Sequence, residues 1–139
     1  MPQLTSPSRF NILVVEDNPM LAELTLRILR RMGLEPRHAK CGDLAIQALN
    51  QSCPDLMLLD VNLPDMEGWR VLEYARAKYG DRPRVIVATA YDDTLHRLEG
   101  RVNAIDNYLV KPVSKDTLTR AVEDALTAIV TAERAEALH

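Results

Sequence analysis

Short apolar runs that alternate with helical patterns constrain the fold of this chain more than any other feature of its sequence. Three runs are four residues long and are bounded by polar or turn-forming residues: 12–15, 56–59 and 85–88. Such runs are typical of strands that are buried on both faces of a sheet. A weaker run covers residues 108–110, and residues 35–39 form the only segment between the first two helical patterns that could pair as a strand. The sequence therefore predicts five strands.

Helical spacing of apolar residues follows each predicted strand. We predict helices at residues 19–32, 43–50 and 69–79, a weaker helix after residue 92, and a long helix from residue 114 to about 137. Asn18 and Ser114 can cap the first and last helices. Gly33 and Gly80 end the first and third. The predicted inward residues are Leu21, Leu24, Ile28 and Met32 in the first helix, Leu44, Ala45, Ala48 and Leu49 in the second, and Leu118, Val122, Ala125, Leu126 and Ile129 in the last.

The order of these elements predicts the fold class. Strands that alternate with helices at this spacing form a parallel sheet covered on both faces. Because crossover connections are right-handed, the expected result is an α/β fold with a doubly wound open sheet. In such folds ligands bind beyond the carboxyl ends of the strands. The chain has 139 residues, of which 47% are hydrophobic and 27% are charged, so one globular domain with a real core is expected.

Composition argues against several classes of protein. The formal net charge of −3 lacks the basic excess that is common in nucleic-acid-binding domains. Cys41 and Cys53, with three histidines in the chain, give neither a disulfide framework nor a zinc-binding spacing. No apolar run approaches the length of a membrane span, and no signal peptide is evident. These features predict a soluble cytoplasmic protein with no direct contact with nucleic acid or membrane. Residues 1–9 lack periodicity and are expected to form a flexible tail.

Polar residues that could bind a ligand or take part in a reaction stand at the ends of four predicted strands. The first strand ends in Glu16 and Asp17, the third in Asp60, the fourth in Thr89 and the fifth in Lys111. Each residue alone is weak evidence, since an acidic pair after a strand is usually part of a solvated loop. Because the carboxyl ends of parallel strands meet at one edge of the sheet, the joint placement predicts a site.

The residue types at this edge suit phosphoryl transfer to a carboxylate. Three clustered carboxylates repel one another unless a cation is bound, and Mg²⁺ prefers oxygen ligands and phosphate. Lys111 and Thr89 could contact further oxygens of a phosphoryl group that is bonded to one carboxylate. A carboxylate is already ionised at neutral pH, so this chemistry needs no general base.

The sequence resembles the response-regulator receiver domain of the two-component, CheY-like family. The matching stretches are ILVVEDN (12–18), DLMLLDVNLPDMEG (55–68), VIVATA (85–90) and YLVKP (108–112), in the order of the family. The resemblance covers about residues 10–130, which leaves residues 131–139 as a helical extension or the start of a linker. It implies a flavodoxin-like fold with a five-stranded parallel sheet of order 2-1-3-4-5 flanked by five helices.

The resemblance also implies a role for each matching residue. Asp60 would be the phosphoacceptor. Mg²⁺, or Mn²⁺ in its place, would be held by Glu16, Asp17, Asp60 and the backbone carbonyl of Asn62. Thr89 and Lys111 would contact the phosphoryl group. Thr89 and Tyr108 would change position on activation. The bond before Pro112 would be cis, and Pro64 and Gly68 would belong to the turn after the acceptor strand.

A regulatory rather than an enzymatic function is implied by the same resemblance. The donor would be a sensor histidine kinase or a histidine phosphotransfer protein. Phosphorylation would alter the face of the fourth helix, fifth strand and fifth helix for binding of an unidentified protein effector, and this face could also form a homodimer. The only reactions would be self-catalysed phosphoryl transfer and slow autodephosphorylation.

Three alternatives accompany this interpretation. The long last helix also fits a receiver that is a fragment of a hybrid kinase or a multidomain regulator. A haloacid-dehalogenase-type phosphatase would need a second aspartate two residues after its nucleophile, where Asn62 stands. A nucleotide-binding Rossmann domain would need a glycine-rich first turn, whereas the turn that begins with Glu16 and Asp17 is acidic.

Overall fold

Five strands and four helices make up the parts of the chain that the computed structural model describes, residues 10–90 and 105–138. The strands are β1 (Ile12–Val15), β2 (Pro36–Ala39), β3 (Leu56–Leu59), β4 (Arg84–Ala90) and β5 (Asn107–Lys111). The helices are α1 (Pro19–Arg31), α2 (Gly42–Gln51), α3 (Gly68–Tyr79) and α4 (Lys115–Ala137). The expected tail at residues 1–9 and the weak fourth helix predicted after residue 92 lie outside the described residues. The helix labelled α4 here therefore corresponds to the fifth predicted helix.

The strands form one parallel sheet in the order β2-β1-β3-β4-β5. This order and the α/β class confirm the prediction. The strand β4 is longer than predicted, because it runs on through Thr89 to Ala90. Thr89 therefore lies within the strand, opposite Val110 of β5, instead of following it. Pairing with β5 supplies the hydrogen bonds that extend the strand, and a single sequence segment does not show its partner.

Among the described residues, two helices pack on each face of the sheet, and alternate strand residues point to opposite faces. Ile12 and Val14 of β1 pack on one side with α1 and α4. Leu13 and Val15 pack on the other side with α2 and α3. All four residues of β1 and of β3 are buried, as expected for strands that are covered on both faces.

Capping hydrogen bonds and backbone angles confirm the predicted helix ends. The Asn18 side chain accepts hydrogen bonds from the amides of Met20 and Leu21 at 3.0 and 3.1 Å. Ser114 Oγ accepts one from the Thr117 amide at 3.1 Å. Gly80 follows α3 with a φ of 64°, a conformation that favours glycine.

The inward face of α1 agrees with the prediction only in part: Ile28 and Met32 are partly buried and pack against the core. Leu21 and Leu24 are 37% and 48% exposed, and the side chains buried on the sheet belong to Ala22, Leu26 and Leu29. Apolar residues occupy two adjoining stripes of this helix, and spacing alone does not show which stripe faces the sheet. Leu21 and Leu24 line a cavity of about 590 Å³ between α1 and the start of α4, which Asp60 and Lys111 border.

The helix α2 shows a smaller difference of the same kind. Ala45 and Leu49 are buried as predicted, and Ala48 is partly buried. Leu44, which was expected to face inward, is 37% exposed. In α4 the predicted residues Leu118, Val122, Ala125 and Leu126 are buried, and Ile129 is partly buried. The helix continues to Ala137, beyond the last buried residue.

Candidate functional site

The sheet brings Glu16 and Asp60 to its carboxyl edge through backbone hydrogen bonds that continue one residue beyond the strands. The Glu16 amide donates to the Ala39 carbonyl, and the Asp60 amide donates to the Val15 carbonyl, each at 3.1 Å. Both acidic residues are only 6% exposed. Buried carboxylates require paired charges or hydrogen bonds, so their surroundings decide what this edge can do.

Lys111 joins the two buried carboxylates. It is the last residue of β5, and its Nζ lies 2.5 Å from Glu16 Oε1 and 2.9 Å from Asp60 Oδ2. The Lys111–Pro112 bond is cis, as the resemblance implied. The structure thus brings together three of the residues that were predicted from the ends of separate strands.

Burial and charge change the ionisation of this cluster. Burial raises the pKa of Glu16 above its ordinary value, although the hydrogen bond and the charge of Lys111 act in the opposite direction. The pKa of Lys111 is also raised above its ordinary value. Burial acts to lower this pKa, but the hydrogen bonds to Glu16 and Asp60 outweigh the effect of burial. The ammonium is therefore held charged between the two carboxylates.

Asp17 adds a third carboxylate. Its side chain is exposed, and one carboxylate oxygen from each of Glu16, Asp17 and Asp60 can be chosen so that all lie within 4.8 Å of one another. In the part of the chain that the structure describes, these three carboxylates lie near one ammonium, that of Lys111. Clustered carboxylate oxygens with excess negative charge are the donors that a hard divalent cation prefers. The residues present therefore fit Mg²⁺.

Thr89 reaches this cluster through Asn62. The Asn62 amide donates to Asp60 Oδ1 at 2.9 Å, and the Asn62 side-chain amide donates to Thr89 Oγ1 at 3.1 Å. Thr89 is fully buried. The contact between these two side chains was not predicted from the sequence.

Tyr108 lies in the edge strand β5, three residues before Lys111. It is half-buried and packs against the core on the α2 and α3 side of the sheet. Its partner across the sheet is Val87, two residues before Thr89. Among the described residues, the structure does not bring Tyr108 into the hydrogen bonds around Asp60.

Sequence reasoning missed His38 as a neighbour of the site. Its Nε2 lies 2.8 Å from the Glu16 carbonyl oxygen. This hydrogen bond restrains the backbone between Glu16 and the start of α1. His38 is opposite Val14 in the sheet, so the pairing of residues 35–39 with the first strand was the signal that could have revealed this contact.

The loop after β3 closes tightly on the site. The Gly68 amide donates to the Val61 carbonyl at 2.7 Å, and Asn62 and Glu67 form an antiparallel bridge. A Cβ on Gly68 would collide with the backbone of Asp60 and Val61. Gly68 is the first residue of α3, directly after the turn in which it was expected, and it allows the loop to fold back against the predicted acceptor.

Comparison with known families decides the identity of this fold. The family model described as the response regulator receiver domain matches residues 12–123. The chain belongs to this family. Receiver domains are regulatory phosphoacceptors of two-component signalling, and the acidic edge described above lies within the matched range of this receiver domain.

Relatives and solved structures agree with this assignment. The DNA-binding response regulator MtrA of Mycolicibacterium smegmatis is 36% identical over 118 residues, which are 85% of this chain and 51% of MtrA. A CheY-like receiver domain protein from Methanospirillum hungatei is 28% identical with a TM-score of 0.83, covering 90% of this chain and 99% of that one. The response regulator TrrA of Thermotoga maritima, solved in complex with Mg²⁺-BeF, is 32% identical with a TM-score of 0.74, covering 84% and 98%.

The receiver domain spans about half or less of the curated relatives that it matches. In residues 10–90 and 105–138, each helix is too short or too polar to cross a lipid bilayer.

Proposed function

We propose that this receiver domain accepts a phosphoryl group on Asp60 in a Mg²⁺-dependent reaction and thereby switches a protein-binding surface. The observation that carries the proposal is the pair of contacts from Lys111 Nζ to Asp60 Oδ2 and Glu16 Oε1. A buried carboxylate that lies beside an ammonium and beside further carboxylates able to bind a metal ion is suited to receive a phosphoryl group, because Lys111 and the bound cation would balance the negative charge of the product.

The donor would be a phosphohistidine of a sensor histidine kinase or a histidine phosphotransfer protein. In the transfer, a carboxylate oxygen of Asp60 forms a bond to phosphorus while the bond from phosphorus to the imidazole nitrogen breaks. The imidazole leaves with the electron pair of that bond. Lys111 lies 2.9 Å from Asp60 Oδ2 and would offset the negative charge that the group brings.

Glu16, Asp17 and Asp60, with the backbone carbonyl of Asn62, would hold the metal ion. When bound, Mg²⁺ supplies positive charge that neutralises phosphoryl oxygens. Three carboxylate oxygens within 4.8 Å of one another support this ligand set. Mn²⁺ also prefers carboxylate and carbonyl oxygens and could take the same position.

Phosphorylation would act as a switch through Thr89. Its hydroxyl is held by the Asn62 side chain at 3.1 Å, and a phosphoryl group on Asp60 would offer competing acceptors. Movement of Thr89 toward that group would open space beside β4, and the Tyr108 side chain would rotate into that space. This would change the face formed by the fourth predicted helix, β5 and α4. That face would bind a protein effector or a second copy of the chain.

Intact mass after incubation with acetyl phosphate tests the proposal. We expect a gain of one phosphoryl group in the presence of Mg²⁺ and none after metal is chelated. Asp60→Asn should abolish the gain. Asp81→Asn, which changes an exposed aspartate in the turn after α3, should leave it intact. Phosphoryl incorporation that persists in Asp60→Asn would overturn the assignment of the acceptor.

A second candidate function is that of the receiver module of a larger regulator. It is favoured by the greater length of the matched relatives, among them the DNA-binding regulator MtrA. In that case the switched face would act on an attached output domain. The length of the protein made from the intact gene distinguishes this from a receiver that acts on separate partners.

A further inference from the structure

A carboxylate from a distant loop caps the start of α2. The residue at the N-cap position, Cys41, has extended backbone angles and makes no side-chain capping hydrogen bond. Asp65 takes its place: Oδ1 accepts from the Gly42 amide and Oδ2 accepts from the Asp43 amide, each at 2.8 Å. Amides in the first turn of a helix need such acceptors. One carboxylate thus binds two amides that lie more than twenty residues away.

The same loop has a second attachment to α2. A Cβ on Gly42 would collide with the side chain of Met66, so that side chain lies directly on the glycine. Met66 also packs against the core on this side of the sheet. Two consecutive loop residues, Asp65 and Met66, are therefore bound to the first residues of α2, one by hydrogen bonds and the other by packing.

The other end of the loop carries the groups that face the acidic site. Asn62 is three residues before Asp65, and it contacts Asp60 through its backbone amide and Thr89 through its side chain. The loop is closed at its base by the bond from the Gly68 amide to the Val61 carbonyl. A closed loop with one anchored tip has little freedom, so the position of Asn62 depends on the anchor.

We propose that Asp65 is a positioning residue: by binding the start of α2, it holds the loop of residues 61–67 so that the Asn62 carbonyl stands beside the carboxylates of the acidic site. This inference rests on the proposed metal-dependent function. Residues that orient metal ligands without touching the metal commonly control metal affinity.

The test measures Mg²⁺ binding calorimetrically, together with urea unfolding of the same variants. Asp65→Ala is expected to raise the Mg²⁺ Kd about tenfold and to lower stability through the lost cap. Asp65→Asn, which keeps the shape and one acceptor oxygen, is expected to give a smaller rise. Asp43→Asn removes a negative charge at the same helix end without touching the loop, and it should leave the Kd unchanged.

A variant in which α2 is capped by its own N-cap residue distinguishes positioning of the loop from simple stabilisation of the fold. In Cys41→Ser/Asp65→Ala the serine can cap α2 from its own N-cap position, so stability should recover while the Mg²⁺ Kd stays raised. Recovery of both quantities, or an unchanged Kd in Asp65→Ala, would overturn the inference and leave the proposed function intact. A wild-type protein that binds no Mg²⁺ and accepts no phosphoryl group would overturn both.

Discussion

The side-chain amide of Asn62 donates to Thr89 Oγ1 at 3.1 Å, in the buried layer beside Asp60. This bond joins the loop after β3 to the neighbouring strand β4. Because Thr89 is fully buried, its hydroxyl has no ready replacement from solvent. The bond therefore contributes to stability and holds Thr89 in one position in the unphosphorylated protein.

A double-mutant cycle measures that contact. Asn62→Ala and Thr89→Val should each destabilise the fold, and the double variant should lose less than the sum by about 1 kcal/mol. Urea unfolding of the wild type, the two single variants and the double variant gives this coupling energy. Losses that simply add would mean that the two side chains do not stabilise one another.

Lys111→Met leaves two buried carboxylates without their cation. We expect the free energy of unfolding to fall by about 2 kcal/mol at neutral pH, less than for a fully buried pair because the Lys111 side chain is 21% exposed. Added Mg²⁺ should recover part of this loss, since it supplies the missing positive charge. Urea unfolding with and without the metal checks both expectations. Lys115→Met, at an exposed position at the start of α4, is the control, and an equal loss there would refute the explanation.

The capping role of Asp65 predicts a dependence of stability on pH. Hydrogen bonds from the amides of Asp43 and Gly42 lower the pKa of Asp65 below its ordinary value. A carboxyl whose pKa is lowered by folding stabilises the protein above its unfolded pKa, and this contribution is lost as the pH falls through the folded pKa.

Asp65→Asn should therefore lower the Tm at neutral pH, and the difference from wild type should shrink once the pH falls below about 4. Thermal unfolding followed by circular dichroism over a range of pH gives both curves. Asp81→Asn serves as the comparison for loss of an exposed carboxylate. A Tm difference that stays constant down to acid pH would show that the charge of Asp65 does not stabilise the cap.

Two glycines test how closely the loop must approach its neighbours. At Gly68 an added Cβ meets the backbone of Asp60 and Val61, whereas at Gly42 it meets the flexible side chain of Met66. Gly68→Ala should cost about 2 kcal/mol, and Gly42→Ala about 1 kcal/mol or less, because a methionine can move aside and backbone cannot. Urea unfolding of the two variants compares these costs, and equal values would contradict the difference in contact.

The strands and the predicted carboxylates could be placed from the sequence because each depends on local pattern. Runs such as residues 12–15 and 56–59 are buried on both faces, so they carry an unbroken apolar signal. Glu16 and Asp60 follow directly after them, and parallel strands bring such positions to one edge. The cap at Ser114 was equally local, since its acceptor and donor are three residues apart.

Other features could not be predicted because they depend on pairing between distant segments. The extension of β4 to Ala90 comes from its pairing with β5. The inward face of α1 is set by how the helix sits on the sheet, which exposes Leu21 and Leu24. The bond from Asn62 to Thr89 spans 27 residues, and sequence spacing carries no signal for it.

The sequence by itself determined the order of strands and helices and the chemical types that stand at the strand ends, because apolar periodicity and capping are properties of neighbouring residues. Tertiary structure alone decided how those groups meet. It brought Lys111 between Glu16 and Asp60 and set Asp65 against the start of α2. The physical reason is that hydrogen bonds and ion pairs act over a few ångströms, and only packing of the whole sheet brings residues so far apart in the chain within that range.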